Sequence, residues 1–235
     1  MILLVKKILK NIPFLMSIFA NIKNRYAKSK FDSGSYWDER YRSGGTSGAG
    51  SYDHLAEFKA EVINDFVAKN KVKKVIEFGC GDGNQLLLAD YPEYIGFDVS
   101  KKAIEKCESK FVSDKTKRFV HSEEWNGLTG DLALSLDVVY HLIEDDVFNE
   151  YMERLFQSSK RFVILYSSDT DVNKANQSIH VRHRNFTGWV SVNKPEWRMI
   201  KYLPNKYPVE KYGDAGSFAD FYFFEKIKST VFYEQ

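Results

Sequence analysis

Glu77, Gly79, Gly81, Gly83 and Asp98 are the residues of this 235-residue chain whose types and spacing most narrowly limit the chemistry they can do. Three glycines in five positions permit a tight turn and let a bound molecule lie against bare backbone. A helix following such a turn points its N-terminal N–H groups at whatever lies above it. Asp98 ends the next predicted strand, where a carboxylate is placed to bind ribose hydroxyls. The stretch therefore reads as a nucleoside site, with Cys80 inside its turn. A dinucleotide site would space its glycines G-x-G-x-x-G to bring a pyrophosphate onto the helix. Here the spacing is G-x-G-x-G, and Glu77 would repel a pyrophosphate while suiting a ligand that carries an ammonium group.

A second group of chemically able residues lies further along. Open sheets hold ligands at the carboxyl ends of their strands, so acids and bases should follow the fourth and fifth strands. Asp137, Tyr140 and His141 follow the fourth; Asp169 and then His180, Arg182, His183 and Arg184 follow the fifth. Alternation puts His180, Arg182 and Arg184 on one side and His183 on the other. Arginines near aromatic residues suit hydroxyl-rich or phosphorylated partners. The plain alternative is a solvated patch of cations. Asp137 has two candidate roles, orienting His141 or joining Asp169 around a divalent cation, although no tight metal motif indicates one. No Cys/His cluster has zinc spacing. Cys80 and Cys107 suit free thiols in a reducing compartment.

The elements that must position these groups follow from periodicity. Residues 52–69 carry apolar positions at helical spacing, and Lys59 interrupts them. It is either a solvated lysine or a cation for a ligand carboxylate. Residues 74–78 and 94–98 read as strands, with a short helix Asn84 to Asp90 between them. Ser100 can cap a helix running through Phe111. Residues 118–120, 131–136 and 161–166 read as further strands, and 144–157 as a helix with Val147, Phe148, Tyr151, Leu155 and Phe156 inward. Alternation of strand and helix implies a mostly parallel sheet. Residues 197–203 and 217–225 are strand-like with only loop between them, which makes an antiparallel pair.

Composition sets the remaining bounds. A hydrophobic fraction of 43% supports a real core. Net charge is +2, yet residues 1–30 hold seven basic residues and no acid, so the rest of the chain carries more acids than bases. Such a body has no general attraction for nucleic acid. We divide the chain into a basic amphipathic segment, 1–30, and one domain, 31–235. Residues 1–26 suit either an anionic membrane surface, or packing on the body or on the twin subunit of a homodimer. A signal peptide ending at Ala20 is a third reading, disfavoured by the bulky Ile18.

The turn Glu77-x-Gly79-x-Gly81-x-Gly83, with Asp98 behind it, resembles the first motif of the class I S-adenosylmethionine-dependent methyltransferases. The resemblance spans roughly residues 36 to 228. It implies an α/β three-layer sandwich: a seven-stranded, mostly parallel sheet with the last strand antiparallel and helices on both faces. The implied cofactor is S-adenosylmethionine, its product S-adenosylhomocysteine. Its methionine part would lie on the turn, with Glu77, Gly79, Cys80, Gly81, Gly83, Tyr52 and Lys59, and its ribose on Asp98. Its adenine would lie among Val99, Glu123, Trp125 and Leu136. The aromatic run Tyr36, Trp37 and Tyr41, of W-x-x-R-Y type, resembles a lid that folds over the cofactor, continued by a glycine-rich flexible loop to residue 51. His141 resembles a histidine that faces the substrate pocket, which makes it the leading general base, with packing or capping of the next helix as its alternative. Asp137 and His180 complete the catalytic candidates; Tyr140, Arg182, His183 and Arg184 are the substrate-binding ones. The aromatic segment, the Asp137–Leu142 exit and the His-Val-Arg-His-Arg loop together resemble small bacterial methyltransferases of surface-polysaccharide synthesis. That resemblance implies O-methylation of a saccharide on the cytoplasmic side, at the inner face of the membrane. A small metabolite, a protein side chain, or a non-catalytic cofactor-binding subunit are the alternatives.

Overall fold

In the computed structural model, residues 31–174 and 177–227 are described. The basic segment lies outside them. The chain runs through α1 (Ser33–Arg42), α2 (Asp53–Lys69), β1 (Lys74–Phe78), β2 (Glu93–Asp98), α3 (Lys101–Lys110), β3 (Lys117–His121) and β4 (Gly130–Leu136). It continues through α4 (Asp145–Gln157), β5 (Ser159–Ser167), α5 (Phe186–Asn193), β6 (Trp197–Leu203), α6 (Val209–Tyr212) and β7 (Asp220–Lys226). The strands form one sheet in the order β3-β2-β1-β4-β5-β7-β6. β1 to β5 pair in parallel, and β7 runs antiparallel to both β5 and β6. This is the expected architecture. The link between the last two strands holds α6 rather than loop alone.

Two apolar layers cover the sheet. On one face Phe58, Ile63 and Val67 of α2 join Ile104 and Cys107 of α3 over Val75, Tyr94 and Leu132. On the other, Phe148, Met152, Leu155 and Phe156 of α4 and Phe186 and Val190 of α5 pack on Ile76, Phe97, Ala133 and Val163. Burying side chains of this size stabilises a fold by about 1.5–3 kcal/mol each. Val147 is the exception on α4, 39% exposed where periodicity placed it inward.

Local signals explain the ends of these elements. The Ser100 hydroxyl accepts from Ala103 N at the start of α3, and Asn185 Oδ1 accepts from Gly188 N at the start of α5. The segment expected as a helix from Asn84 to Asp90 makes only a single 3-10 turn, Gln85–Leu88. Four residues there cannot recover the cost of nucleating a longer helix before the chain turns into β2. With β1, β2, β4 and β5 parallel, the turn at 79–83, Asp98 and Asp137 all meet at the carboxyl end of the sheet.

Candidate active site

A cavity of about 470 Å³ opens at that end, between the glycine turn and α1. Two glycines of the turn are dictated by both backbone and space. Gly79 has φ +85°, and a Cβ there would stand 2.4 Å from Val138 Cγ2. Gly81 has φ +59°, and its Cβ would meet Ser47 Oγ at 2.3 Å. Such angles strain any L side chain. Asp98 ties the turn to β2, with Oδ2 accepting from Gly81 N and Oδ1 from Ser100 N, both at 2.9 Å. Burial pushes its carboxyl up to about 6. Each carboxylate oxygen still has a lone pair to offer a ligand hydroxyl.

Glu77 lies behind the turn, 5% exposed, accepting from Tyr94 Oη at 2.7 Å. Burial pushes its carboxyl up to about 7. Because its folded value lies above the unfolded one, the ionised side chain destabilises the empty protein increasingly as pH rises from about 4.5 to 7. Glu77→Gln is therefore expected to raise the unfolding temperature of the ligand-free chain at pH 8 and to leave it nearly unchanged at pH 4.5. Thermal melts at the two pH values check this, and an equal gain at both would contradict it.

Lys59 is fully buried, not solvated. Its Nζ donates to Asp137 Oδ2 at 2.6 Å and lies 5.2 Å from the centre of the Tyr166 ring. Tyr140 Oη donates to Asp137 Oδ1 at 2.7 Å. Both oxygens of Asp137 are thus engaged away from His141, and the side chain locks β4 to α2 instead of orienting the histidine. Asp137 itself sits at φ +60°, the backbone bend that carries the chain from β4 under the glycine turn. Asp169 is turned onto Thr187, accepting from its N–H at 3.0 Å and its hydroxyl at 2.5 Å. Among the described residues no group of three His, Cys, Asp or Glu side chains is placed to hold a metal ion.

His141 lines the cavity. Its Nδ1 lies 2.8 Å from the carbonyl oxygen of His180. A carbonyl only accepts, so Nδ1 carries the hydrogen and Nε2 keeps a free lone pair. Burial pushes the imidazole down to about 4, so it is neutral at physiological pH. Trp37 lies edge-on at 4.8 Å and the His180 ring at 5.4 Å, with Tyr36 stacked on His180 at 4.9 Å. His180 thus contributes its backbone to the base, while its ring is stacked between those of His141 and Tyr36 and does not line the cavity.

Arg182 and Arg184 are not in the cavity wall. Arg182 Nη1 donates to Ile143 O at 2.7 Å and pairs with Asp145 at 2.8 Å. Arg184 is buried, donates to Leu142 O and Ile143 O, and lies over the Phe148 ring. These cations staple residues 142–145 behind His141, and the expected alternation is absent because 180–185 is not a strand. His183 Nδ1 meets Ser168 Oγ at 2.6 Å.

The other expected cofactor contacts divide. Gly79, Cys80, Gly81, Asp98, Val99, Glu123 and Leu136 line the cavity, as do Glu77 and Lys59. Gly83 faces Cys107 and Phe111 instead. Trp125 packs on Phe78 under Arg154, and Tyr52 Oη donates to Asp82 at 2.8 Å.

The segment before α2 closes over this site. Residues 33–42 form a helix, and the glycine-rich stretch after it is pinned rather than loose. Ser47 N donates to Asp82 Oδ2 at 3.0 Å, and Ser47 Oγ accepts from Asp82 N at 2.9 Å. Ser100 Oγ donates to Asp38 at 2.8 Å and Lys106 Nζ to Gly45 O at 2.9 Å. Ser33 donates to Glu144 from both its N–H and its hydroxyl. Trp37 and Tyr41, expected as lid aromatics, stand in the wall, and Ser33, Ser47 and Gln85 join them without having been picked out by residue type. The aromatic run was the one signal that pointed to part of this set.

Residues 52–204 match the family described as "Methyltransferase domain". No curated protein matches the chain by sequence. Among solved structures, the magnesium protoporphyrin IX methyltransferase ChlM of Synechocystis PCC 6803, with bound SAM, aligns at TM-score 0.60 and 12% identity, covering 83% of this chain and 98% of that one. The methyltransferase domain of bacterial CtHen1-C aligns at TM-score 0.57 and 19% identity, covering 72% and 97%. The N-methyltransferase NodS of Bradyrhizobium japonicum WM9, with S-adenosyl-l-homocysteine, aligns at TM-score 0.58 and 12% identity, covering 74% and 88%. At these identities the likeness is one of fold.

Proposed function

We propose, from the premise that this chain belongs to the methyltransferase-domain family, that it moves a methyl group from S-adenosylmethionine to a hydroxyl of a saccharide. The observation that carries the reading is His141, a neutral imidazole in the cavity wall whose Nδ1–H is held by His180 O, leaving Nε2 to accept a proton.

The residues at the carboxyl end of the sheet fit the cofactor. Asp98 offers two lone pairs to ribose hydroxyls, and Gly79 and Gly81, held tight against Val138 and Ser47, put backbone into the cavity wall. Val99 and Val147 expose apolar surface in the cavity wall, 46% and 39%, where a purine ring needs it. Glu77 supplies negative charge toward a cationic ligand. When bound, the cofactor supplies an electrophilic methyl on a sulfonium and leaves as a neutral thioether.

The protein then has three tasks. It aligns the acceptor, excludes water with α1 and the pinned 43–51 stretch, and removes one proton at Nε2 of His141. A base as weak as this imidazole suffices, because a hydroxyl becomes strongly acidic as its oxygen gains a third bond and oxonium character. Trp37 offers an aromatic ring to the CH face of a sugar, and Ser33 and Glu144 border it with polar groups. Arg182 and Arg184 are spent on Asp145, which favours a neutral acceptor over a phosphorylated one.

Surface-glycan precursors at the inner face of the membrane are the acceptors we favour, with the basic residues 1–26 as the membrane contact. No helix among the described residues is long and apolar enough to cross a membrane. Tritiated methyl transfer to a panel of neutral oligosaccharides, nucleotide sugars, lipid-linked glycans and small amines tests the reading. Label in a saccharide supports it; label only in an amine, or in none, overturns it.

A further inference from the structure

Residues 43–52 form a strap along one side of the cavity, with Ser47 and Ser51 in its wall. The glycine turn itself fastens this strap. Asp82 Oδ2 accepts from Ser47 N at 3.0 Å and from Tyr52 Oη at 2.8 Å, and Asp82 N donates to Ser47 Oγ at 2.9 Å. Asn84, two residues on, donates from Nδ2 to Ser51 O at 2.7 Å. Asp82 is 5% exposed and stands outside the cavity wall. Burial alone would raise its carboxyl, but the bonds from Ser47, Tyr52 and Asn84 outweigh burial and hold it below the ordinary carboxylate range. The grip on the strap is therefore a charged one at neutral pH.

Between these points the strap lies close on the site, since a Cβ at Gly50 would stand 2.7 Å from Asp137 Oδ2. The strap is also made of residues that resist order. Gly44, Gly45, Gly48 and Gly50 fall within it. Fixing one residue's backbone costs about 1–2 kcal/mol, and glycine loses the most freedom. Left unfastened, the strap would have to be ordered by the ligand, at the expense of affinity. We infer that Asp82 is a positioning residue for the cofactor: it holds the strap on the glycine turn, so that the ligand meets a wall already in place. Filling the cavity and fastening the strap then favour one another. This rests on the cofactor reading above.

Two readouts on the purified chain test it: calorimetry with S-adenosylhomocysteine, and hydrogen exchange of the 43–52 amides followed by mass spectrometry. Asp82→Ala is expected to weaken S-adenosylhomocysteine by about tenfold and to speed exchange across 43–52 by about tenfold, with the amides of β1 and β4 unchanged. Saturating ligand is expected to return most of that protection. Tyr52→Phe removes one hydroxyl donor from the strap side and leaves Ser47 on the carboxylate. It is expected to change both readouts by about threefold. A change in only one readout, or in neither, would overturn the inference and leave the cofactor reading standing. Faster exchange through the whole sheet in both variants would do the same, because it would give Asp82 a purely structural role. A wild-type chain that bound no S-adenosylhomocysteine would refute the cofactor reading, and this inference with it.

Discussion

Asp98→Ala is expected to lower the affinity for S-adenosylhomocysteine by about a hundredfold to ten-thousandfold, the largest binding loss of any single change in the site. Hydrogen bonds to a charged partner contribute about 1.5–3 kcal/mol each, and a ribose presents two hydroxyls. The same carboxylate holds Gly81 N and Ser100 N, so the alanine variant also frees the turn that the ligand rests on. Asp98→Asn separates the two effects. It keeps one acceptor for the backbone, and its intermediate affinity would measure the share that belongs to the ribose. Circular dichroism melts of the ligand-free variants show whether the fold survives. Full affinity in Asp98→Ala would remove the nucleoside from this end of the sheet.

His141→Ala is expected to reduce turnover by about a hundredfold to ten-thousandfold while leaving S-adenosylhomocysteine affinity within a few fold. The wild-type pH profile carries a second signature. Burial among Trp37, Tyr140 and His180 holds the imidazole at about 4, so the base is lost only as pH falls through that value. At saturating cofactor, turnover should stay level from pH 5 to 7, where an exposed histidine would titrate. An acid limb near 6.5, or an active alanine variant, would return His141 to a packing role.

The ligand end of this site was legible in the sequence because its backbone demands leave a mark. Positions that need φ near +60° to +85° and tolerate no Cβ must be glycine, and a carboxylate at a strand tip has little to do in a core. Strand and helix alternation was legible for the same reason, since each face of the sheet needs its own apolar period. Helix α5 escaped notice, although Asn185 and Gly188 supplied a cap signal.

What stayed hidden was partnership across long separations. Lys59 looked solvated because its counter-ion, Asp137, lies 78 positions away. Arg182 and Arg184 looked like a substrate wall because nothing local shows that Asp145 and two backbone carbonyls claim them. Gln85 carried no signal at all, although it stands in the cavity wall and ties the turn to α2 through Ala56 O. The lid was half-legible, its aromatics visible and its serine pins to Asp82 and Glu144 not.

The central claim is that the cavity at the carboxyl end of the sheet takes S-adenosylmethionine. Isothermal calorimetry of the purified chain with S-adenosylmethionine and S-adenosylhomocysteine tests it most directly. We predict saturable binding of both at one molecule per chain; no heat and no saturation with either ligand at millimolar concentration would contradict it.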